Sequence, residues 1–377
     1  MPRFPVLIVG STGVFGARVA ALLARRPASI ALILGGRRRP ALDAQAAALA
    51  RETGRAPAVA VLDAEAVRGE DLFAIGAALV INASGPFQDA SYTLARAAIA
   101  AGCHYVDLAD ARAFVAGFPA LDADAQAAGV LAVSGASSVP GLSSAAVAHL
   151  RNTFADVETI EIAISPGHSF DPGRATVAAV LGGVGQPMRV LADGRWQTVH
   201  GWQGLTRGDF GAAGRRWLGD VDVPDLDLFA AQVPGVRSVR FRAGLEVSAL
   251  HLGLWAASWL VRGRLVPSLA PLAPLLLSVK RRLGALGSDR GGMLVTLGGT
   301  GRDGQAKAVT WRLVARSGHG PYVPALTSVA LARRLASGVE QRRGAMACSH
   351  FVPLADILAE ADGLDIATEV IEKPLPR

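Results

Sequence analysis

Three glycines spaced three residues apart, Gly10, Gly13 and Gly16, lie in the segment GSTGVFG, directly after the apolar run FPVLIVG and before ARVAALLARR. A pyrophosphate can rest on main-chain N–H groups at a helix N-terminus only where no Cβ blocks its approach. The spacing is G-x-x-G-x-x-G rather than the commoner G-x-G-x-x-G. A glycine triplet alone is weak, and its placement between a strand and a helix is what makes it informative. The competing reading is a plain tight turn. The residues expected to line the pyrophosphate are Gly10, Ser11, Thr12, Gly13, Val14, Phe15 and Gly16.

The end of the second strand selects between cofactors. An acid there would bind the ribose 2′-hydroxyl of NAD, whereas an arginine accommodates the 2′-phosphate of NADP. This strand ends GGRRRP, with no acid before Asp43. NADP is therefore expected, with Arg37 as the first contact to its 2′-phosphate and Arg38 as the second. The alternative is a solvated charge run ahead of a helix that starts with proline. Asp63, at the end of the third strand, is expected near the adenine. Asn82, Ala83, Ser84, Gly85, Pro86 and Phe87, at the exit of the fourth, are expected to shape the nicotinamide ribose pocket.

Hydride transfer also needs a positioned acceptor and usually a proton donor. None of Tyr92, Tyr105 and Tyr322 has a lysine four residues later, so Tyr-x-x-x-Lys chemistry is excluded. The G-x-S-x-G and H-E-x-x-H signatures are absent too. The cluster His104, Tyr105, Asp107 lies at the carboxyl end of a strand, where alternation puts Tyr105 and Asp107 on one face. Asp107, then Tyr105, are the catalytic candidates. The competing reading has Asp107 capping the next turn and Tyr105 packed in the sheet. His168 and Asp171 in PGHSFDPG read better as a turn, and His319 and Tyr322 carry no stronger argument. No metal site is expected.

Around these residues strands and helices alternate. Strands are expected at 4–10, 29–35, 57–63, 78–87, 103–110 and from 130, with helices at 17–26, 64–75, 91–101 and 119–128. That pattern predicts an α/β fold with a Rossmann-type doubly wound parallel sheet, its ligands at the carboxyl ends of the strands. From Val157 alternating runs such as SVRFRAGLEV and AKAVTWRLVA predict an α+β mixed-sheet second domain. The expected division is 1–137 for the NADP-binding domain, 138–319 for substrate and dimerisation, and 320–377 for a segment returning to the first domain. There are no internal repeats.

The composition, 51% hydrophobic and 18% charged, excludes intrinsic disorder. Two cysteines, Cys103 and Cys348, cannot build a disulfide scaffold or a cysteine metal site. Of the 38 basic residues only Lys280, Lys307 and Lys373 are lysines. The arginines suit an anionic ligand, but they come as scattered pairs, which argues against nucleic acid. Glycines interrupt the N-terminal apolar run, which argues against an export signal and for a cytoplasmic protein. The stretch 251–283 stands apart. Its uncharged runs are too short to span a bilayer. Core or dimer-interface helices are the first reading, and peripheral membrane contact the alternative.

GSTGVFG, GGR, VINASGPF, AAGCHYVDLAD and the Pro-Gly turn in SSVPGLSS together resemble the saccharopine dehydrogenase-like oxidoreductases, and GHGPYVPALTSVALARRLASG is similar to that family's closing helix. The resemblance implies an NADP-binding Rossmann domain, a mixed-sheet domain for a small-molecule substrate and for homodimer formation, and a C-terminal return to the first domain. It also admits lipid-like substrates. Saccharopine-forming reductases carry an acid before that Pro-Gly, where this chain has Val139, which argues against amino-acid chemistry.

Overall fold

The structure, a computed structural model, describes residues 3–26, 29–283 and 286–374. The chain falls into two compact units. One holds the chain up to Leu142 together with Pro321–Asp362, and the other holds Ser143–Gly320 and the chain from Gly363 onward.

The first unit begins with β1 (Phe4–Val9), α1 (Val14–Arg25), β2 (Ile30–Gly36), α2 (Arg39–Thr53), β3 (Ala58–Val61), α3 (Gly69–Ile75), β4 (Leu79–Asn82), α4 (Thr93–Ala100) and β5 (His104–Asp107). It continues through the short helices α5 (Arg112–Gly117) and α6 (Asp122–Ala127) to β6 (Leu131–Ser134). The strands are short, nearly continuous apolar runs, as buried parallel strands must be. Val6, Leu7, Ile8, Leu34, Leu79, Val80, Ile81 and Val106 have no exposure at all. Local signals fix the helix ends: α2 starts with a proline in its first turn and stops at Gly54, which is left-handed and donates to Ala50 O.

The second unit runs α7 (Ser143–Arg151), β7 (Phe154–Ser165), α8 (Gly173–Gly183), β8 (Pro187–Ala192), β9 (Arg195–His200), β10 (Thr206–Asp209), β11 (Arg215–Asp220), α9 (Asp225–Gln232) and β12 (Ser238–Ala243). Then come α10 (Ser248–Arg262), α11 (Ala273–Arg282), β13 (Gly291–Gly301) and β14 (Ala306–Ala315). The remaining elements are α12 (Val323–Ala336), β15 (Gly344–Ala347), α13 (Leu354–Ala359) and β16 (Ile366–Pro374).

The first sheet has the order β15-β6-β5-β4-β1-β2-β3 and every pairing in it is parallel. The strand order reverses between β1 and β4, so a crevice opens at their carboxyl ends. The second sheet has the order β10-β11-β12-β7-β13-β14-β16, with β8 pairing β12 and β9. Only β7 and β12 run parallel in it. The α/β architecture with a mixed second sheet is therefore as the sequence pattern predicts.

The expected C-terminal return needs correction. Helix α12, strand β15 and helix α13 belong to the first unit, and β15 adds a seventh parallel strand beside β6. The last strand does not follow them. It pairs with β14 from Lys307 opposite Pro374 to Ala315 opposite Ile366. A ten-residue strand left unpaired at a sheet edge would be a template for aggregation, and β16 covers it. Of the stretch 251–283, α10 and α11 carry the parts that read as interface helices. The Arg281 side chain lies outside the described ones.

Candidate active site at the parallel-sheet crevice

The turn between β1 and α1 is built by backbone approach. Gly10 has φ +79°, and a Cβ there would lie 2.9 Å from Ala83 C and O and from Ser84 Cα. The turn thus touches the exit of β4 directly. A Cβ on Gly16 would meet Gly10 O at 2.2 Å, so the helix can seat on the strand only with glycine at that place. Gly13 caps α1. The helix has no side-chain cap and no acid in its first turn, and Thr12 and Gly13 are exposed. The leading turn of a helix has N–H groups without intrahelical partners, which favour an anion. Val14 and Phe15, half-buried, open this helix.

Ser11 departs from the expectation. It is fully buried, and its amide, like that of Gly10, donates to Gly35 O at 3.1 Å. Its hydroxyl donates to Gln45 Oε1 at 2.9 Å, while Gln45 Nε2 donates back to Ser11 O at 2.8 Å. Ser11 therefore positions the turn instead of facing a ligand. Gln45 is a participant that sequence reading missed, because a glutamine inside an alanine-rich helix carries no signal of its own. These bonds fasten the turn to Gly35 and Gln45, which flank the arginine run.

Within that run the three arginines differ. Arg39 Nε donates to both carboxylate oxygens of Asp43, at 2.9 and 3.0 Å. Arg37 and Arg38 are exposed and have no side-chain partner among the described residues. Asp63, just past β3, is exposed, and its Oδ1 accepts from Glu65 N at 3.2 Å. This Asx turn leaves its second oxygen toward solvent.

At the β4 exit Ser84, Gly85 and Pro86 are exposed, the Gly85–Pro86 peptide is cis, and Phe87 turns inward against Phe114 at 5.3 Å between ring centres. Asn82 holds this loop. Its Oδ1 accepts from the Ser84 amide at 3.0 Å and from the Ser84 hydroxyl at 2.5 Å. Its Nδ2 donates to the Tyr105 hydroxyl at 3.0 Å. Tyr105 in turn stacks on Phe118. A rigid chain Phe118–Tyr105–Asn82–Ser84 thus runs from the core to the open loop.

Tyr105 and Asp107 share one face of β5, as alternation predicts, but both are buried, at 1% and 0% exposure. Neither reaches a surface where a substrate could meet it. In this structure Asp107 and Tyr105 hold the strand exits from within. Oδ1 of Asp107 accepts from Ala109 N at 3.0 Å, Gly135 N at 2.8 Å and the Ser134 hydroxyl at 2.9 Å. It thereby gathers the exits of β5 and β6. Its Oδ2 has no partner among the described residues. Burial pushes its carboxyl up to about 6, against the pull of those three donors. Burial, reinforced by the charge of Asp107, also raises the Tyr105 phenol.

The remaining candidates are engaged elsewhere. His104 Nδ1 accepts from Leu131 N at 2.9 Å, so its proton sits on Nε2. In the second unit His168 donates its amide to Glu246, its ring contacts Leu283 O at 3.1 Å, and Asp171 accepts from Gly173 N. These are the contacts of a pinned turn. His319 Nδ1 accepts from Asp365 N at 2.8 Å. The Tyr322 ring lies beneath the guanidinium groups of Arg18 and Arg25, at 5.9 and 5.6 Å. No cluster of metal-ligating side chains occurs among the described residues.

Fold and turn together define a dinucleotide-binding domain of the doubly wound class. Residues 6–133 match the family model described as the saccharopine dehydrogenase NADP binding domain, in agreement with the resemblance of the motifs. Over its length the chain is similar in structure to apo saccharopine dehydrogenase (L-Glu forming) from Saccharomyces cerevisiae. The two share 15% identity and a TM-score of 0.66, with 98% of this chain and 100% of that one covered. A putative short chain dehydrogenase from Escherichia coli CFT073, complexed with NADPH, matches 28% of this chain and 58% of its own at 18% identity and a TM-score of 0.21. No curated protein matches the sequence.

Proposed function

We propose that this protein is an NADP-dependent oxidoreductase that transfers hydride to or from a C=O, C=N or C=C bond of a small, uncharged, hydrophobic substrate, and that it works in the cytoplasm as a homodimer. The carrying observation is the pair Arg37 and Arg38. They are exposed and unpartnered at the end of β2, on a loop tied through Gly35 and Gln45 to a glycine turn that no Cβ obstructs. A phosphate ester on the ribose 2′ position is the group such a pair would bind.

The residues fit the cofactor. Thr12, Gly13 and the leading turn of α1 would hold the pyrophosphate, Arg37 and Arg38 the 2′-phosphate, and Ser84–Pro86 the nicotinamide ribose. NADP supplies or accepts the hydride at its nicotinamide ring when bound. The chain's own part is to fix that ring: Tyr105 orients Asn82, and Asn82 holds Ser84 through two bonds. Val139 stands where saccharopine-forming reductases carry an acid, which favours an uncharged acceptor.

A second reading, an NADP-binding protein without turnover, draws support from the burial of both expected proton donors. Loss of reduced-nicotinamide absorbance, followed against a panel of ketones, imines and enoyl thioesters, separates the two. Consumption of NADPH with any of them supports the enzyme. Tight NADPH binding with an inert panel supports the silent protein, and absence of NADPH binding removes both.

A further inference from the structure

The solvent side of α10 is unlike an ordinary surface helix. Its outward positions Ala249, Gly253, Ala256 and Leu260, continued by Gly263 at the C-cap, follow helical spacing and carry no charge. Trp259 beside them is 47% exposed, Leu265 in the following link 75%, and Leu275 on α11 60%. Leu260 and Leu272 are exposed as well. These side chains overlie one apolar core. Val261 of α10, Leu269 of the link and Ala273 of α11 pack together there with Leu181 and Val184. The same segments therefore bury one apolar face and leave a second apolar face open.

The charges that these segments carry have one sign. Arg262 lies over the Trp259 ring at 4.8 Å and donates to Gln203 Oε1 at 2.7 Å, whereas Arg264 and Arg282 are exposed with no side-chain partner among the described residues. Between Glu246 and Asp289 the sequence has no acid. A twofold contact between copies sets a patch against itself. Here it would bring arginines near arginines with no carboxylate from these segments to compensate. An anionic, apolar surface meets both features at once.

We propose that α10, the link 263–272 and α11 form a docking surface for an anionic lipid bilayer. Trp259, Leu260, Leu265, Leu272 and Leu275 enter the headgroup boundary, while Arg264 and Arg282 meet lipid phosphates. The attachment is interfacial: among the described residues no helix is long and apolar enough to cross a membrane. The proposal does not depend on cofactor binding.

Flotation of the full chain with phosphatidylglycerol/phosphatidylcholine vesicles, and with phosphatidylcholine alone, tests it. The account expects flotation with the anionic vesicles and little with the neutral ones. Arg264→Gln with Arg282→Gln should weaken binding roughly twenty-fivefold, at about fivefold per removed charge. Leu265→Ser with Leu275→Ser, both at exposed positions, should abolish it while the melting temperature and NADPH affinity stay unchanged. No flotation of the wild-type chain, or equal flotation of wild type and both variants, overturns the proposal. So does a shift from dimer to monomer in the leucine variant with no lipid binding by either form, which would make the face a contact between copies.

Discussion

Arg39 opens α2 and Arg37 stands two residues before it, yet Asp43 clasps the first at 2.9 Å and the second meets no carboxylate among the described residues. The same contrast divides larger regions. In the second unit Arg216 is buried and donates to Ala213 O, Ser165 O and Oγ, Pro166 O and Arg290 O, with Glu246 at 3.3 Å. In the C-terminal part of the first unit Arg333 bonds Glu360, Leu22 O and Arg26 O, and Arg342 clasps Glu340 beside Phe351. These arginines close networks, and their charge serves the fold. Arg37 and Arg38 close none, so their charge remains available to a ligand. In a chain whose basic residues are nearly all arginine, composition alone does not separate the two groups; partners do.

The contrast breaks most visibly at Arg216. Replacing it with methionine leaves buried carbonyls without a donor and takes the guanidinium from beside Glu246, which should cost about 3–5 kcal/mol, measured by urea unfolding. A loss below about 1 kcal/mol would mean that the network carries little of the fold.

Carboxylates show the same division. Asp220 is flanked by Arg240 and Arg242 at 3.5 Å, whereas buried Asp225 accepts from the Ser143 hydroxyl and its Oδ2 has no partner among the described residues. Burial pushes Asp225 up to about 7. Below about pH 4 its carboxyl is neutral in the folded and the unfolded chain alike. Above pH 7 it is charged in both, and the folded chain carries the burial penalty. Stability should therefore fall as pH rises through that window, by on the order of 2–4 kcal/mol. Asp225→Asn should flatten this dependence; chemical denaturation at pH 5 and pH 8 reads it, and an unchanged slope would remove Asp225 as its source. Asp107, raised to about 6, adds to the same trend with the same sign.

Tyr105→Phe sharpens the positioning role. It strips the acceptor from Asn82 Nδ2 inside the sheet, at a cost of about 1–2 kcal/mol, and loosens the loop that Ser84 belongs to. Turnover should drop more than NADPH affinity does. A variant with unchanged turnover would show that the loop holds without the phenol. The smallest effect belongs to Arg39→Ala. Its pair with Asp43 is exposed, so stability should move by less than about 0.5 kcal/mol, and NADPH affinity should change far less than with Arg37→Ala.

The sequence made much of this legible for a physical reason. Buried parallel strands must be short apolar runs, and a phosphate turn must lack Cβ atoms, so β1, Gly10–Gly16 and the alternation up to β6 show themselves locally. The arginine run is legible as charge, but which of its three members is tied is not, because that depends on Asp43 one helical turn away. Tyr105 and Asp107 share the face that alternation gives them. Their depth is set by α5, the turn at Phe118 and the exit of β6, contacts between residues far apart in the chain. Gln45 and Asp225 act only through tertiary partners, and no local pattern marks them. Strand β16 escaped for the same reason, since its place follows from the open edge of β14.

Calorimetric titration of NADPH and NADH into the wild-type chain and into Arg37→Ala tests the central claim most directly. The account predicts that wild type prefers NADPH and that the variant loses about ten- to a hundredfold in NADPH affinity. NADH affinity and unfolding should be unaltered. Equal losses for both nucleotides, or no heat from either, would contradict it.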